Sequence, residues 1–260
     1  MEYQDIIFEV KDGYAVATFN KPEKLNALGE RMKAELEDII RTVDKDDRIR
    51  GLIITGAGRG FMAGTDLSEI QTDRTGEETK EMSLHGQALM NKLEELGKPV
   101  IAAVNGYALG GGTELALACD LRVAGEKAAF GVPEADLGVA PCYGGTQRLA
   151  RLCGAGVAKD LLFTARKVRA EEALRIGLAN RVVPQESLME ETENLMKTII
   201  KNGPIAIKAC KSLVDKGLDM SFADGLKYEA ELNGMLAETE DSREGLKAFF
   251  EKRPPVFHNR

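Results

Sequence analysis

Asn105-Gly-Tyr-Ala-Leu-Gly-Gly-Gly-Thr-Glu-Leu115 is the stretch on which the reading of this chain turns. It follows an apolar run, Lys98-Pro-Val-Ile-Ala-Ala-Val104, that reads as a buried strand, and it opens a helix at Thr113. Three consecutive glycines cost backbone entropy; they make sense where the chain turns tightly and presents its N–H groups. A helix N-terminus adds partial positive charge to such a turn, so an anionic oxygen could be held there. The run has neither the GxGxxG spacing of a dinucleotide loop nor the Gly-Lys-Ser/Thr ending of a phosphate loop. From these residues alone two readings stand, a tight structural turn and an oxyanion site. Glu114 likewise has two: an acid favoured by the helix dipole, or a working carboxylate.

Outward from this stretch, strand and helix signals alternate. Upstream, Ile6 to Val10 and Tyr14 to Phe19 are β-prone runs joined by the turn signal Lys11-Asp12-Gly13, which predicts a hairpin. Met32, Leu36, Ile39, Ile40 and Val43 recur at helical spacing from about Glu30, and Gly51 to Thr55 reads as a buried strand. A polar stretch, Gln71 to Glu81, precedes a helix ending near Leu96. Downstream, short strands are expected at Leu121 to Val123 and Ala179 to Val183, with helices at Gln147 to Leu152 and Val157 to Thr164. From about Leu188 only helices are readable: Leu188 to Lys201, Pro204 to Lys216, Phe222 to Glu238 and Ser242 to Lys252. The expected organisation is an α/β core over residues 1–195 and a C-terminal helical region over 196–260.

Composition narrows the function. With 260 residues, 43% hydrophobic and 30% charged, the chain is in the globular range and long enough for a large core. A net charge of −7 gives no broad attraction for nucleic acid. No apolar run approaches membrane-spanning length and the start, MEYQDIIFEV, is acidic, so a cytoplasmic location with no membrane partner is expected. Cys119, Cys142, Cys153 and Cys210 form no CxxC pair, and with His85 and His258 the only histidines, no metal site is expected. Both histidines are expected in solvent, and Cys142 as an unreactive pocket thiol.

Two further segments make the pattern specific: Arg59-Gly-Phe-Met-Ala-Gly-Thr-Asp-Leu-Ser-Glu-Ile70 and Phe130-Gly-Val-Pro-Glu-Ala-Asp-Leu-Gly-Val-Ala-Pro-Cys-Tyr-Gly-Gly-Thr-Gln-Arg148. With the glycine stretch, in this order and spacing, they resemble the diagnostic segments of the enoyl-CoA hydratase/isomerase (crotonase) superfamily. Lys24-Leu-Asn-Ala27, Lys98-Pro-Val-Ile101, Glu171-Glu-Ala-Leu174 and Phe249-Phe-Glu-Lys-Arg253 resemble its secondary ones, so the similarity runs from about Ile6 to Arg260.

The resemblance implies an α/β fold of the crotonase (ClpP-like) type, a spiral of β-β-α units with a helical C-terminal region that associates as a homotrimer or homohexamer. It is most like a short-chain enoyl-CoA hydratase, a hydro-lyase of fatty acid β-oxidation. Glu114 matches the family's water-activating glutamate and Glu134 the acid that protonates the α-carbon. Many members lack one or both; this chain has both. The oxyanion donors map to the backbone amides of Thr65 and Gly111. Coenzyme A, carried by the substrate and with no separate cofactor, maps to Lys24, Leu25, Ala63, Thr65, Asp66 and Leu67, and to Phe249 and Lys252 of the trimer. Asp66 is read as a helix cap rather than a third catalytic acid. The chain departs from the usual hydratase at Thr65, Cys142, Tyr143 and Asn233; Tyr143 adds bulk to the acyl pocket. An isomerase, a dehydratase of a cyclic or carnitinyl thioester, and a non-catalytic RNA-binding homologue are the rival readings.

Overall fold

The hairpin forms as its turn chemistry requires, pairing β1 (Ile6–Val10) with β2 (Ala15–Phe19) antiparallel in the computed structural model, which describes residues 3–70 and 73–260. Gly13 closes the turn at φ +84°, a left-handed conformation that glycine adopts freely, and Lys11 N donates to Tyr14 O at 2.7 Å. α1 (Glu30–Lys45) then buries Met32, Leu36, Ile39, Ile40 and Val43, the residues whose spacing predicts it.

Units of one plan follow: a long strand, a short strand, then a helix. β3 (Leu52–Gly56) and β4 (Gly60–Met62) lead to α2 (Gly76–Glu94), and β5 (Val100–Val104) and β6 (Tyr107–Leu109) lead to α3 (Gly111–Ala118). β7 (Leu121–Gly125) and β8 (Ala129–Gly131) lead through a 3-10 turn, Pro133–Leu137, to α4 (Gly145–Cys153). α5 (Ala155–Thr164), β9 (Val168–Arg169), α6 (Ala170–Arg175) and β10 (Arg181–Val183) complete the core. The long strands build one sheet in the order β1-β2-β3-β5-β7-β10, parallel beyond the hairpin, and the short strands build a second, β4-β6-β8-β9. Each unit advances one strand in both sheets, so the chain coils as a spiral.

β3 and β5 are buried at every position, as strands covered on both faces must be. One face, with Leu52, Ile54, Val100 and Ala102, packs into the large core that includes α1 and α2; the other, with Ile53, Ile101 and Ala103, packs on Leu188 and Met196 of α7 (Leu188–Ile199). The expected boundary at 195/196 falls inside α7, which covers the sheet. α8 (Pro204–Gly217), α9 (Phe222–Ala237) and α10 (Glu240–Glu251) follow it.

The polar stretch at 71–81 needs correction: α2 begins inside it. Thr75 Oγ1 accepts from Glu78 N and Glu78 Oε2 accepts from Thr75 N at 2.7 Å, a reciprocal cap that satisfies two orphan donors. Residues 71 and 72 lie outside the described residues. Among the described residues no helix is long and apolar enough to cross a membrane, and no group of three or more His, Cys, Asp or Glu is placed to hold a metal.

Candidate active site

β4, β6 and β8 are parallel neighbours, with Met62 beside Ala108 and Leu109 beside Gly131, so their carboxyl ends align. The residues that follow those ends are Ala63 to Thr65, Gly110 and Gly111, and Val132 to Glu134. Three sequence segments about 20 to 70 positions apart thus converge because each leaves the same edge of one small sheet, a common place for ligand sites in α/β folds.

The first two segments meet backbone to backbone. Gly64 has φ +97° and Gly110 φ +50°, and a Cβ at Gly64 would stand 2.9 Å from Leu109 O; one at Gly111 would stand 3.6 Å from Thr65 N. Glycine is needed for both conformation and approach. Leu28 N donates to Gly64 O and Asp66 N to Leu28 O, which fixes the Thr65 turn. Gly111 opens α3, where first-turn amides have no partner within the helix. Among the described residues no protein acceptor takes the N–H of Thr65 or Gly111.

Glu114, in the first turn of α3, is 2% exposed. Its Oε1 accepts from Tyr143 N and from Gly145 N, each at 2.8 Å. Burial raises its pKa to about 7, and the nearby Glu134 carboxyl pushes the same way; together they outweigh the two amides and Arg148, which favour the charged form. Glu134 lies in the 3-10 turn after β8 and is raised by burial as well. Its Oε1 sits 2.8 Å from where a Cβ of Gly110 would be, and its Oε2 is buried without a hydrogen-bond partner. A buried carboxyl oxygen left unpaired favours protonation and is available to a ligand.

Beside this pair lies a charged edge. Leu25 and Asn26 adopt left-handed backbone at φ 51° and 59°, held because Asn26 is wholly buried and its amide donates to Ala57 O and Gly60 O and accepts from Lys21 N. Lys24 Nζ pairs with Asp66 at 2.8 Å and reaches Ser68 Oγ at 3.2 Å. Asp66 caps the 3-10 turn Leu67–Glu69 as expected, and the hydrogen bonds from Lys24 and then Ser68 hold its carboxyl down to about 2. The Ala63 N–H is already given to Leu25 O at 3.0 Å, so what it has left for a ligand is its carbonyl oxygen. Leu67 is exposed.

A protein-family model described as Enoyl-CoA hydratase/isomerase matches residues 9–260. The chain belongs to the enoyl-CoA hydratase/isomerase family. The short-chain-enoyl-CoA hydratase of Clostridium acetobutylicum is 43% identical over 254 residues, covering 97% of each chain. The crotonyl-CoA hydratase of Syntrophomonas wolfei is 42% identical over 258 residues, covering 99% of each. Among solved structures, the enoyl-CoA hydratase from Bacillus anthracis superposes with a TM-score of 0.94 at 38% identity, covering 99% of this chain and all of that one. The spiral is therefore the crotonase fold, as the sequence segments imply.

Within the family frame, the structure brings Glu114, Glu134, Thr65 and Gly111 to one place, with Lys24, Leu25, Ala63, Asp66 and Leu67 along its edge. It does not bring Phe249 and Lys252 there: Phe249 is 76% exposed on α10, and Lys252 ends that helix in left-handed backbone. The sequence reading assigned no role to Gly144, Gly145 or Lys33. Gly144 turns at φ +103° and Gly145 presents the amide that Glu114 accepts; a Cβ at Gly145 would meet Glu114 Cγ at 2.7 Å. Paired glycines before a helix were the available signal, as at Gly111 and Gly112. Lys33 had none. It sits on the buried side of α1, 4% exposed, with its ammonium 5.5 Å from the centre of the Tyr143 ring and 2.8 Å from Glu30 Oε1.

Proposed function

We propose that the protein catalyses the reversible hydration of a 2-enoyl-CoA thioester to the 3-hydroxyacyl-CoA, using Glu114 and Glu134 as the acid–base pair and the amides of Thr65 and Gly111 as the oxyanion hole. The observation that carries this reading is a buried carboxyl, Glu114, and a half-buried one, Glu134, beside two free amides at one sheet edge. Adding water to the enoyl thioester builds negative charge on the thioester oxygen, and two fixed N–H donors stabilise it where it develops. Glu114, anchored through one oxygen by two amides, takes the proton from water as the water attacks the β-carbon. A base that titrates near 7 has both proton states accessible at neutral pH. Glu134, with an unpaired buried oxygen, is the acid that delivers a proton to the α-carbon.

Coenzyme A belongs to the substrate, and no separate cofactor enters. Its nucleotide and phosphates lie in this reading along Lys24, Leu25, Ala63, Asp66 and Leu67, where a phosphate competes with Asp66 for the Lys24 ammonium. Phe249 and Lys252 are contributed by a neighbouring subunit of a homotrimer or homohexamer. Support for that comes from apolar side chains that a single chain leaves in solvent, Phe222, Leu226, Met235, Leu246, Phe249 and Phe250. A cytoplasmic place in fatty acid β-oxidation completes the proposal.

The test is hydration of crotonyl-CoA, followed by loss of the conjugated enoyl absorbance. Glu114→Gln and Glu134→Gln are each expected to lower turnover by at least ~10²-fold while circular dichroism is unchanged, the scale for loss of a positioned acid or base. A fully active Glu134→Gln variant removes the two-carboxyl mechanism, and a wild-type protein inert toward every enoyl-CoA removes the hydratase reading.

A further inference from the structure

Tyr143 is among the largest wholly buried side chains of the molecule, yet it sits in the loop that carries the catalytic contacts rather than in a strand or helix. Its amide donates to Glu114 Oε1, its hydroxyl lies 3.3 Å from Thr65 Oγ1, and its ring edge is 3.5 Å from the Cβ position of Gly111. The side chain therefore spans the distance from the water-activating carboxyl to the oxyanion turn.

The ring has nowhere to withdraw. Behind it stands Gly86 of α2, so close that a Cβ there would overlap the ring, and the Lys33 ammonium covers it at 5.5 Å from the centroid while pairing with Glu30. A cation over an aromatic ring at this distance is attracted to it. Backbone, hydroxyl, one face and one edge are all held, which distinguishes the ring from a side chain that could swing aside for a longer substrate.

We propose that the Tyr143 ring is the end wall of the acyl pocket and confines the enzyme to short 2-enoyl chains, with Lys33 and the close-packed Gly86 backbone holding it in place. This rests on the hydratase reading and adds to it the residue and the physical cause of a chain-length limit. A fixed ring excludes added methylenes by overlap, because a packed wall resists insertion of even one methylene.

The experiment compares kcat/KM for crotonyl-CoA, trans-2-hexenoyl-CoA and trans-2-decenoyl-CoA, together with calorimetric binding of the unreactive butyryl-CoA and decanoyl-CoA. Wild-type protein should favour crotonyl- over decenoyl-CoA by at least ~10²-fold, the scale of discrimination available to an apolar pocket. Tyr143→Ala should reduce that ratio by ~10-fold or more, and Tyr143→Phe, which keeps the ring, should leave the ratio within about threefold of wild type. Lys33→Met should lie between them, since it frees the ring without removing it. Tyr143→Leu serves where the alanine variant does not fold. Equal wild-type rates on crotonyl- and decenoyl-CoA overturn the proposal, as does a folded Tyr143→Ala or Tyr143→Leu variant with an unchanged ratio. Binding separates this from failure of the hydratase reading: with no turnover on any substrate, tighter binding of butyryl- than decanoyl-CoA that Tyr143→Ala reverses still supports the wall, and equal binding overturns it.

Discussion

At the scale of the residue, Glu114 illustrates a side chain whose burial costs stability. Its folded-state pKa, about 7, is above that of a glutamate in the unfolded chain, so the folded state binds the proton more tightly. Stability from this group is complete below the unfolded pKa and is lost as pH rises through about 7. Glutamine keeps an oxygen for the amides of Tyr143 and Gly145 and never ionises. Glu114→Gln is therefore expected to match wild type in stability near pH 4.5 and to exceed it at pH 8 by on the order of 3 kcal/mol, read from urea unfolding at the two pH values. A variant no more stable than wild type at pH 8 shows that the carboxyl carries no burial cost. The identities of Glu114, Glu134, Thr65 and Gly111 were legible because three sequence segments resemble those of one family. The contacts that tune them were not. Which amides reach Glu114, that Ala63 N–H is spent on Leu25, and that Lys33 lies over Tyr143 depend on how distant segments meet, and nothing local in the sequence encodes it.

At the scale of the element, α3 is pressed onto β4 so tightly that a Cβ on Gly112 would overlap Met62 O and stand 3.0 Å from Met62 Cβ. Gly112→Ala is thus expected to destabilise the protein by about 1–3 kcal/mol through overpacking, whereas Gly76→Ala, with nothing within 4 Å at the start of α2, should stay within about 1 kcal/mol of wild type. Urea midpoints of the two variants decide it, and equal midpoints contradict the close approach. The long strands were readable because β3 and β5 are continuous apolar runs, and α1 because its apolar residues keep helical spacing. The second strand of each β-β-α unit is implied by the family resemblance alone: β4, β6 and β8 have three residues each and β9 two, too few to show a period. β4, β6 and β8 are strands only because each follows a long strand and is brought beside its equivalent from the neighbouring turn, and β9, which follows α5, adds to β8 antiparallel. The start of α2 was legible in Thr75 and Glu78, a cap signature inside a stretch that polarity alone had set aside.

At the scale of the whole molecule, the C-terminal helices are held to the core by a few polar ties. Lys211 Nζ pairs with Asp120 at 3.0 Å, and Arg151 of α4 pairs with Asp219 at 3.2 Å. α9 has no buried residue and Phe222 is 83% exposed, so this region is expected to be covered by another copy of the chain. Sedimentation should give a trimer or hexamer, and truncation after Ile200 should abolish it; a monodisperse, active monomer at micromolar concentration contradicts the contribution of Phe249 and Lys252 across subunits. The same bare helix has a consequence for exchange with heavy water. In one chain alone, the amides of Phe222–Ala237 have little beyond their own helical bonds to slow deuterium uptake, while those of β5 open only with the core. Assembly adds protection to α9 by mass action, so deuterium uptake across that segment should fall as protein concentration rises, and uptake in β5 should not change.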